Sequence, residues 1–397
     1  MQNSVSFRHE VRDWLEANCP SSMRTDMPEH EIVWGGRKQR WFSADARVWM
    51  ERMADRGWTV PHWPRAYGGA GLNASEVKIL HEEMQRINAR VPLQSFGIWM
   101  LGPALLEFAT EAQKRHYLPQ IARGEIRWCQ GYSEPGNGSD LAGLQTKAED
   151  CGDHYLVNGS KVWTSYADQS DWIFCLVRTD SDSPKHEGIS FLLFDMASEG
   201  VSASPIQLIS GASPFCQTFF EDVKVPKDQL VGEVNKGWTI AKRLLQHERQ
   251  MVSVIKGNTP LARSSSLKLH ELAKRYAGDG ERIGNPLIRS KVSRHRMDGH
   301  AFRLTMNRSA QEARIGQADG NIASFIKYYN SEQNKRKYEL LVEIMGTAML
   351  GWEGDGFSDE ELDLTRQWLR SRANSIEGGT SEVQLNVIGK RILGLPD

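Results

Sequence analysis

The sequence predicts an α+β fold in three consecutive parts: an N-terminal helical domain over 1–125, a middle β domain over 126–235 and a C-terminal helical domain over 236–397. Three observations carry this reading. Apolar residues recur at helical spacing through the first third of the chain. The period drops to two between about 126 and 235. Helical spacing then returns from 237 to the end.

Residues 4–17 set Phe7, Val11, Trp14 and Leu15 on one helical stripe. Residues 43–53 repeat the pattern until Gly57 stops it, 73–87 follow a capping Asn73, and 104–124 give a helix pair. Residues 33–41, with Trp34, Arg37, Lys38, Arg40 and Trp41, read as an exposed loop. A solvated loop is the plainer reading of that basic-aromatic stretch, and a contact to a CoA phosphate the sharper one. Farther on, 172–177 and 189–194 are continuous apolar runs bounded by turn residues, the mark of buried strands. Residues 155–157 and 161–165 flank Asn158-Gly159, which predicts a hairpin turn. Helices are expected over 238–255, 286–310, 321–349 and 359–373. Ser264-Ser265-Ser266 is too short to be a linker, and there is no internal repeat.

A chain of 397 residues has room for two or three domains. Its 49 basic and 50 acidic residues nearly cancel, which argues against a general nucleic-acid or membrane-surface binder. Five cysteines without metal spacing fit a reducing compartment. The first residues lack the apolar core of a secretory signal, and no 18-residue apolar run exists. The expectation is a cytoplasmic protein that binds neither nucleic acid nor membrane.

The most informative stretch is 129–179. Tyr132 and Ser133 lead into Glu134-Pro135-Gly136-Asn137-Gly138-Ser139-Asp140, a loop of residues that permit tight turns and expose backbone N–H groups. Trp163, followed by the hydroxyls of Thr164 and Ser165, offers a flat surface beside polar atoms. That suits an aromatic cofactor ring; taken alone, it also suits a β-hairpin with a buried Trp.

Spacing favours the first. The Glu-Pro-Gly-x-Gly-Ser-Asp loop, Thr146-Lys147-Ala148, Asn158-Gly159-x-Lys161-x-Trp163 and Asp171-Trp172 resemble the acyl-CoA dehydrogenase family, which uses FAD. So do Trp63-Pro64-Arg65-Ala66-Tyr67-Gly68-Gly69, Phe220-Glu221-Asp222-Val223-Lys224-Val225-Pro226, Leu230-Val231-Gly232-Glu233, Asn235-Lys236-Gly237-Trp238, Gly378-Gly379-Thr380-Ser381-Glu382-Val383-Gln384 and Gly394-Leu395-Pro396. The resemblance spans the chain in the family's order and is nearest to the large subunit of the pimeloyl-CoA dehydrogenase type. It implies helical N-terminal and C-terminal domains around a β-barrel or sandwich, with the last four helices building a tetramer.

Removing hydrogen across Cα–Cβ of an acyl thioester needs a base for the α-proton, a hydrogen bond to the thioester carbonyl, and an electron sink that no side chain supplies. The family's usual base lies just before Gly-Thr-Ser. Here that position is Gly378, with Glu377 one residue off. One residue swings a helical side chain by about 100°. Some members carry the base on another helix just before an Arg, and Glu248-Arg249 matches it. The resemblance thus makes Glu248 the base and His247 structural, and sets Ser139, Arg249 and Gly378 against the acyl-CoA. It sets Gln130, Tyr132, Ser133, Gly138, Ser139, Trp163, Thr164, Ser165, Thr380 and Glu382 against FAD, although Gln is commoner than Glu at 382.

Two departures bear on assembly. The Arg and Phe-Gly that members lend a neighbour's FAD pyrophosphate become Arg282, displaced, and Ile283-Gly284. A lent Gln becomes Glu343, whose charge opposes a pyrophosphate. These imply a tetramer with a related small subunit, α2β2, or else a homotetramer, passing electrons to an electron-transferring flavoprotein. The rival readings are an oxygen-using acyl-CoA oxidase-like relative and a non-catalytic or weakly flavin-binding partner subunit.

Overall fold

The structure, a computed structural model, describes residues 2–258, 269–315, 317 and 321–396, and the side chains of these except 2–4, 248–258 and 314. Two compact units form. One is chiefly Met1–Ile206 with Pro214–Glu248; the other is chiefly Arg249–Asn258 and Ala262–Asp397, joined by the short segment Gln207–Ser213. Ser264-Ser265-Ser266 lies outside the described residues.

In the first unit, α1 (Gln2–Asn18), α2 (Ala44–Asp55), α3 (Ala74–Arg86), α4 (Gly102–Phe108) and α5 (Glu111–Ala122) follow the predicted helices closely. Local chemistry starts them. The Ser43 side chain accepts from Ala46 N–H, and Asn73 with Glu76 and Thr110 with Gln113 form capping boxes. Residues 33–41 form the expected loop, with Arg37, Lys38 and Arg40 exposed, but the loop is anchored. Val33 and Gly35 are buried, Arg37 N–H donates to Asp171 Oδ2 at 2.9 Å, and Lys38 Nζ donates to Asp168 O at 2.8 Å. The Arg37 and Lys38 side chains meet partners more than a hundred residues away.

Helices α1 and α3 are tied at one carboxylate. Glu83, only 2 % exposed, accepts from Arg8 at 2.9 Å, Arg12 at 3.0 Å and Arg86 at 2.7 Å. The bond from Arg12, opposed by burial and joined by those from Arg86 and Arg8, holds its carboxyl down to about 2. A folded pKa below the unfolded value of about 4.3 gives stability that is complete above that value and lost as pH falls toward 2. Glu83→Gln is therefore expected to lower unfolding stability at pH 7 by about 1.5 kcal/mol. That is the low end for bonds to a charged group, because the arginines are partly solvated. In urea titrations the gap to the wild type should close between about pH 4 and 2.

The middle of the chain forms one seven-stranded sheet: β1 (Trp128–Gly131), β2 (Lys147–Asp150), β3 (His154–Ser165), β4 (Trp172–Arg178), β5 (Ile189–Asp195), β6 (Val201–Ile206) and β7 (Phe215–Pro226). The order is β1-β4-β2-β3-β7-β6, with β5 on β4; β1 and β4 run parallel with Trp128 opposite Trp172. The apolar runs of β4 and β5 have a direct cause. Phe174, Leu176, Ile189, Phe191 and Leu193 join the core shared with the helices, while Ile173, Cys175, Val177, Leu192 and Phe194 join a second core within the sheet. Strands buried on both faces lose the alternation of a half-exposed strand.

Asn158-Gly159 is no hairpin turn. The β2–β3 hairpin turns at 151–153, where Gly152 has φ +90°, and Asn158-Gly159 lies inside β3. There β3 is bulged against β7, and Asn158 exchanges two hydrogen bonds with Asp222, at 3.0 and 2.9 Å. A partner 64 residues away decides a dipeptide that reads locally as a turn.

Helix α6 (Gly237–Asn258) follows, burying Ile240, Ala241 and Leu244. In the second unit, α7 (Leu269–Tyr276), α8 (Pro286–Arg314), α10 (Asp359–Ser371) and α11 (Ser381–Val387) pack on α9 (Ile322–Met345) around Leu272, Ile288, Leu341, Ile344 and Leu364. The expected helix over 321–349 ends early: Gly346 takes φ +55° and a 3-10 turn continues to Leu350. No described helix is long and apolar enough to cross a membrane.

Candidate active site

The loop after β1 is built on a buried ion pair. Lys161, 0 % exposed, donates to Glu134 Oε1 at 2.8 Å and to Tyr132 O at 3.1 Å. Glu134 also accepts from the N–H groups of Gln145 and Thr146, at 2.6 and 2.8 Å. Burial alone would raise the Glu134 carboxyl, but Lys161 and these donors hold it below the ordinary carboxylate range. Val162 N–H donates to Ser133 O at 2.8 Å. The predicted group Gln130, Tyr132 and Ser133 is thereby joined to the strand that carries Trp163, Thr164 and Ser165. Glu134 and Lys161 carry no role in the sequence pattern; the signal for their pairing was an acid in one motif and a base in the next.

Trp163 is not a buried core residue. It is 55 % exposed, with φ +61°, at the point where β3 skips register from Lys161↔Thr218 to Thr164↔Cys216. The bulge turns the indole out of the sheet, edge-to-face with Phe215 at 6.0 Å. Thr164 points the other way, fully buried, its hydroxyl 3.4 Å from that of Thr218. Gln130, Ser133 and Ser165 are half-buried. Gly138 and Ser139 are exposed, in the loop that rims a polar groove of about 290 Å³ whose lining includes Asn137, Asp140, Gln145, Arg178 and Lys185, with Lys185 paired to Asp140 at 2.7 Å.

In the second unit, Gly378 and Gly379 have φ +63° and +89°. Their carbonyls accept from Gln384 Nε2 at 3.3 Å and Lys327 Nζ at 2.6 Å. Thr380 caps α11 by accepting from Val383 N–H, and Glu382 is exposed in its first turn, where the helix dipole favours a carboxylate. Glu377 is engaged by Arg370 at 2.6 Å and Asn374 at 2.8 Å. Glu343 pairs with Lys291 at 2.5 Å, so its charge is compensated. Arg282 is exposed, and Ile283 packs on the core of its unit. Glu248 and Arg249 belong to α6, but their side chains lie outside the described ones. His247 Nε2 lies 3.6 Å from Glu107 Oε1. Among the described residues no cluster of His, Cys, Asp or Glu is placed to hold a metal ion.

Three family models match in order: acyl-CoA dehydrogenase N-terminal domain over 2–125, middle domain over 129–223 and C-terminal domain over 235–393. Acyl-CoA dehydrogenase IpdE1 of Mycobacterium tuberculosis is 36 % identical over 397 residues, 100 % of this chain and 99 % of that protein. Among solved structures, the Tcur3481-Tcur3483 steroid ACAD superposes with a TM-score of 0.76 at 30 % identity, covering 100 % of this chain and 98 % of that one. The ChsE4-ChsE5 complex from Mycobacterium tuberculosis gives 0.71 at 28 %, with the same coverage. Matches over the whole length, in every part of the chain, mean that it belongs to the acyl-CoA dehydrogenase family of FAD-dependent oxidoreductases.

Proposed function

We propose that this chain is the catalytic, flavin-carrying subunit of a heteromeric acyl-CoA dehydrogenase that converts a ring-bearing acyl-CoA to its trans-2-enoyl-CoA. FAD is the family's cofactor, and the residues here fit it. An indole exposed by a bulge, beside half-buried Gln130, Ser133 and Ser165, presents a flat face next to polar atoms. When bound, FAD supplies the acceptor for the β-hydride.

The chain's own residues do the rest. The Glu248 carboxylate takes the α-proton. The Gly378 N–H donates to the thioester carbonyl and stabilises the charge that grows there. Trp163 covers one ring face, while Gln130, Tyr132, Ser133 and Ser165 meet the ring's polar edge and Thr164 braces the strand beneath them. Thr380 and Glu382 hold FAD from the C-terminal domain. Gly138 and Ser139 contact FAD, Ser139 also meets a CoA phosphate, and Arg249 contacts the acyl-CoA beside the base.

One observation carries the choice of base. Glu377, the carboxylate nearest the usual position, is engaged by Arg370 and Asn374, and Gly378 has no side chain. Position 248 lies in α6, immediately before Arg249, as the family's alternative base does. The substrate class and the assembly, α2β2 with a related small subunit, are supported by the printed names of a steroid ACAD and of a two-protein complex. Exposed Met297, Leu304 and Ile315, seven and eleven residues apart on α8 and at its end, add an apolar stripe for a partner. Electrons pass to an electron-transferring flavoprotein.

Anaerobic mixing with ring-bearing acyl-CoA thioesters should bleach the flavin band faster than straight-chain thioesters do. Native mass spectrometry of the same sample should give one FAD per αβ pair. Absence of bleaching with either class overturns the reaction; a homotetramer carrying four FAD overturns only the assembly.

A further inference from the structure

We infer that Arg127 is a positioning residue for the segment Trp163–Tyr166, acting through the ring of Tyr166. The inference rests on the proposal that Trp163 covers the flavin. Two residues of this segment, Trp163 and Tyr166, hold left-handed backbone at φ +61° and +52°. Neither is glycine, and for bulky residues this conformation persists only when the surroundings impose it.

At Trp163 the imposing element is the β-bulge. At Tyr166 it is a cation–aromatic cluster. The Arg127 guanidinium faces two rings that also touch each other: it lies 5.1 Å from the centroid of Trp34 and 5.0 Å from that of Tyr166, and the rings, tilted by 45°, are 5.2 Å apart, so the three groups form a near-equilateral triangle. Arg127 is 8 % exposed. Its Nη1 donates to Gln169 at 3.1 Å, and Nη2 has no hydrogen-bond partner among the described residues. A buried guanidinium with one nitrogen unsatisfied is costly, and the ring faces are what stabilise it here.

The backbone of the same turn is pinned around that cluster. Tyr166 N–H donates to Pro214 O at 2.8 Å, and Tyr166 O accepts from Gln169 N–H at 3.0 Å and from Ser170 Oγ at 2.8 Å. Arg127 N–H donates to Asp171 Oδ2 at 2.9 Å, and Arg37 N–H donates to the same oxygen at 2.9 Å. So the loop carrying Trp34, the start of β1 and the turn after β3 meet at one cation. The cation, favoured there also by Asp168 and Asp171, touches a turn that begins one residue after Ser165. Thus the stretch 33–41, which has no place in the chemistry, holds the orientation of the residues that do.

The test uses the flavin-loaded protein as isolated, with any subunit that copurifies. Circular dichroism in the flavin band and the dissociation constant of FAD are read for Trp163→Phe, Arg127→Met, Tyr166→Phe, Tyr166→Gly and the Arg127→Met/Tyr166→Gly pair. Trp163→Phe should change the flavin-band signal. Tyr166→Phe, which keeps the ring, should match the wild type. Arg127→Met and Tyr166→Gly should each weaken FAD by about tenfold and reduce the signal. Glycine takes φ +52° freely, so its effect isolates the lost ring. In the pair the losses should not add, because both remove one interaction.

An unchanged flavin signal in Trp163→Phe overturns the flavin reading and this inference with it. A changed signal in Trp163→Phe with none in Arg127→Met overturns the inference alone, as does an Arg127→Met effect that stays whole in the Tyr166→Gly background. Should Arg127→Met not fold, Tyr166→Gly against Tyr166→Phe decides it: equal affinity for FAD overturns the proposal.

Discussion

Glu248→Gln lowers the turnover number by about 10²–10⁴-fold, the range for losing a general base, while flavin content and binding of the acyl-CoA stay at wild-type levels. The substitution keeps shape and removes only the group that accepts the α-proton. Glu377→Gln is the control. Glu377 already bonds to Arg370 and Asn374, so its loss loosens the turn before α11 and leaves the chemistry nearly intact, within about threefold. Stopped-flow reduction of the flavin separates the two, since it reads proton abstraction and hydride loss without product release. Fast reduction in Glu248→Gln together with a collapse in Glu377→Gln would return the base to the C-terminal turn.

Lys161→Met should have the largest effect on stability, about 3–5 kcal/mol, the measured range for removing one partner of a buried ion pair. Glu134 would keep its two backbone donors but lose the cation bonded to it. Lys161 also donates to Tyr132 O, so the loop that carries Tyr132 and Ser133 loosens and flavin content falls with stability. The sign with pH is specific. Without Lys161 the buried Glu134 carboxyl rises above its unfolded value and takes up a proton on folding, so the variant's deficit shrinks as pH falls from 7 toward 5. Adding Glu134→Gln to Lys161→Met should recover part of the loss at pH 7, because it removes the stranded charge. Denaturant unfolding of the single and double variants at pH 7 and 5 checks both statements; a deficit independent of pH would mean that Glu134 is not the group left uncompensated.

Helix periods and caps were legible in residues that are neighbours in the chain. Ser43, Asn73 and Thr110 start helices because their side chains reach N–H groups two or three residues on, and such partners can be read from a string of letters. The double apolar face of β4 and β5 was legible for a similar reason: burial on both sides needs an unbroken run. The loop 134–140 and Trp163 stood out because turn residues and a lone aromatic before hydroxyls fall at a spacing that the plain hairpin reading does not explain.

By itself, then, the sequence determined the order of helices, strands and helices, the family, and the stretch proposed to face a cofactor. Tertiary structure alone decided what those residues are spent on. Asn158-Gly159 became the interior of β3 because Asp222 lies opposite it. Residues 33–41 became a tether because Asp171 waits there. Lys161 became the counter-ion of Glu134, and Arg127 the cation facing Trp34 and Tyr166. The physical reason is common to all four: a charge or a polar edge taken from water must find a partner, and the partner that folding brings is remote in sequence.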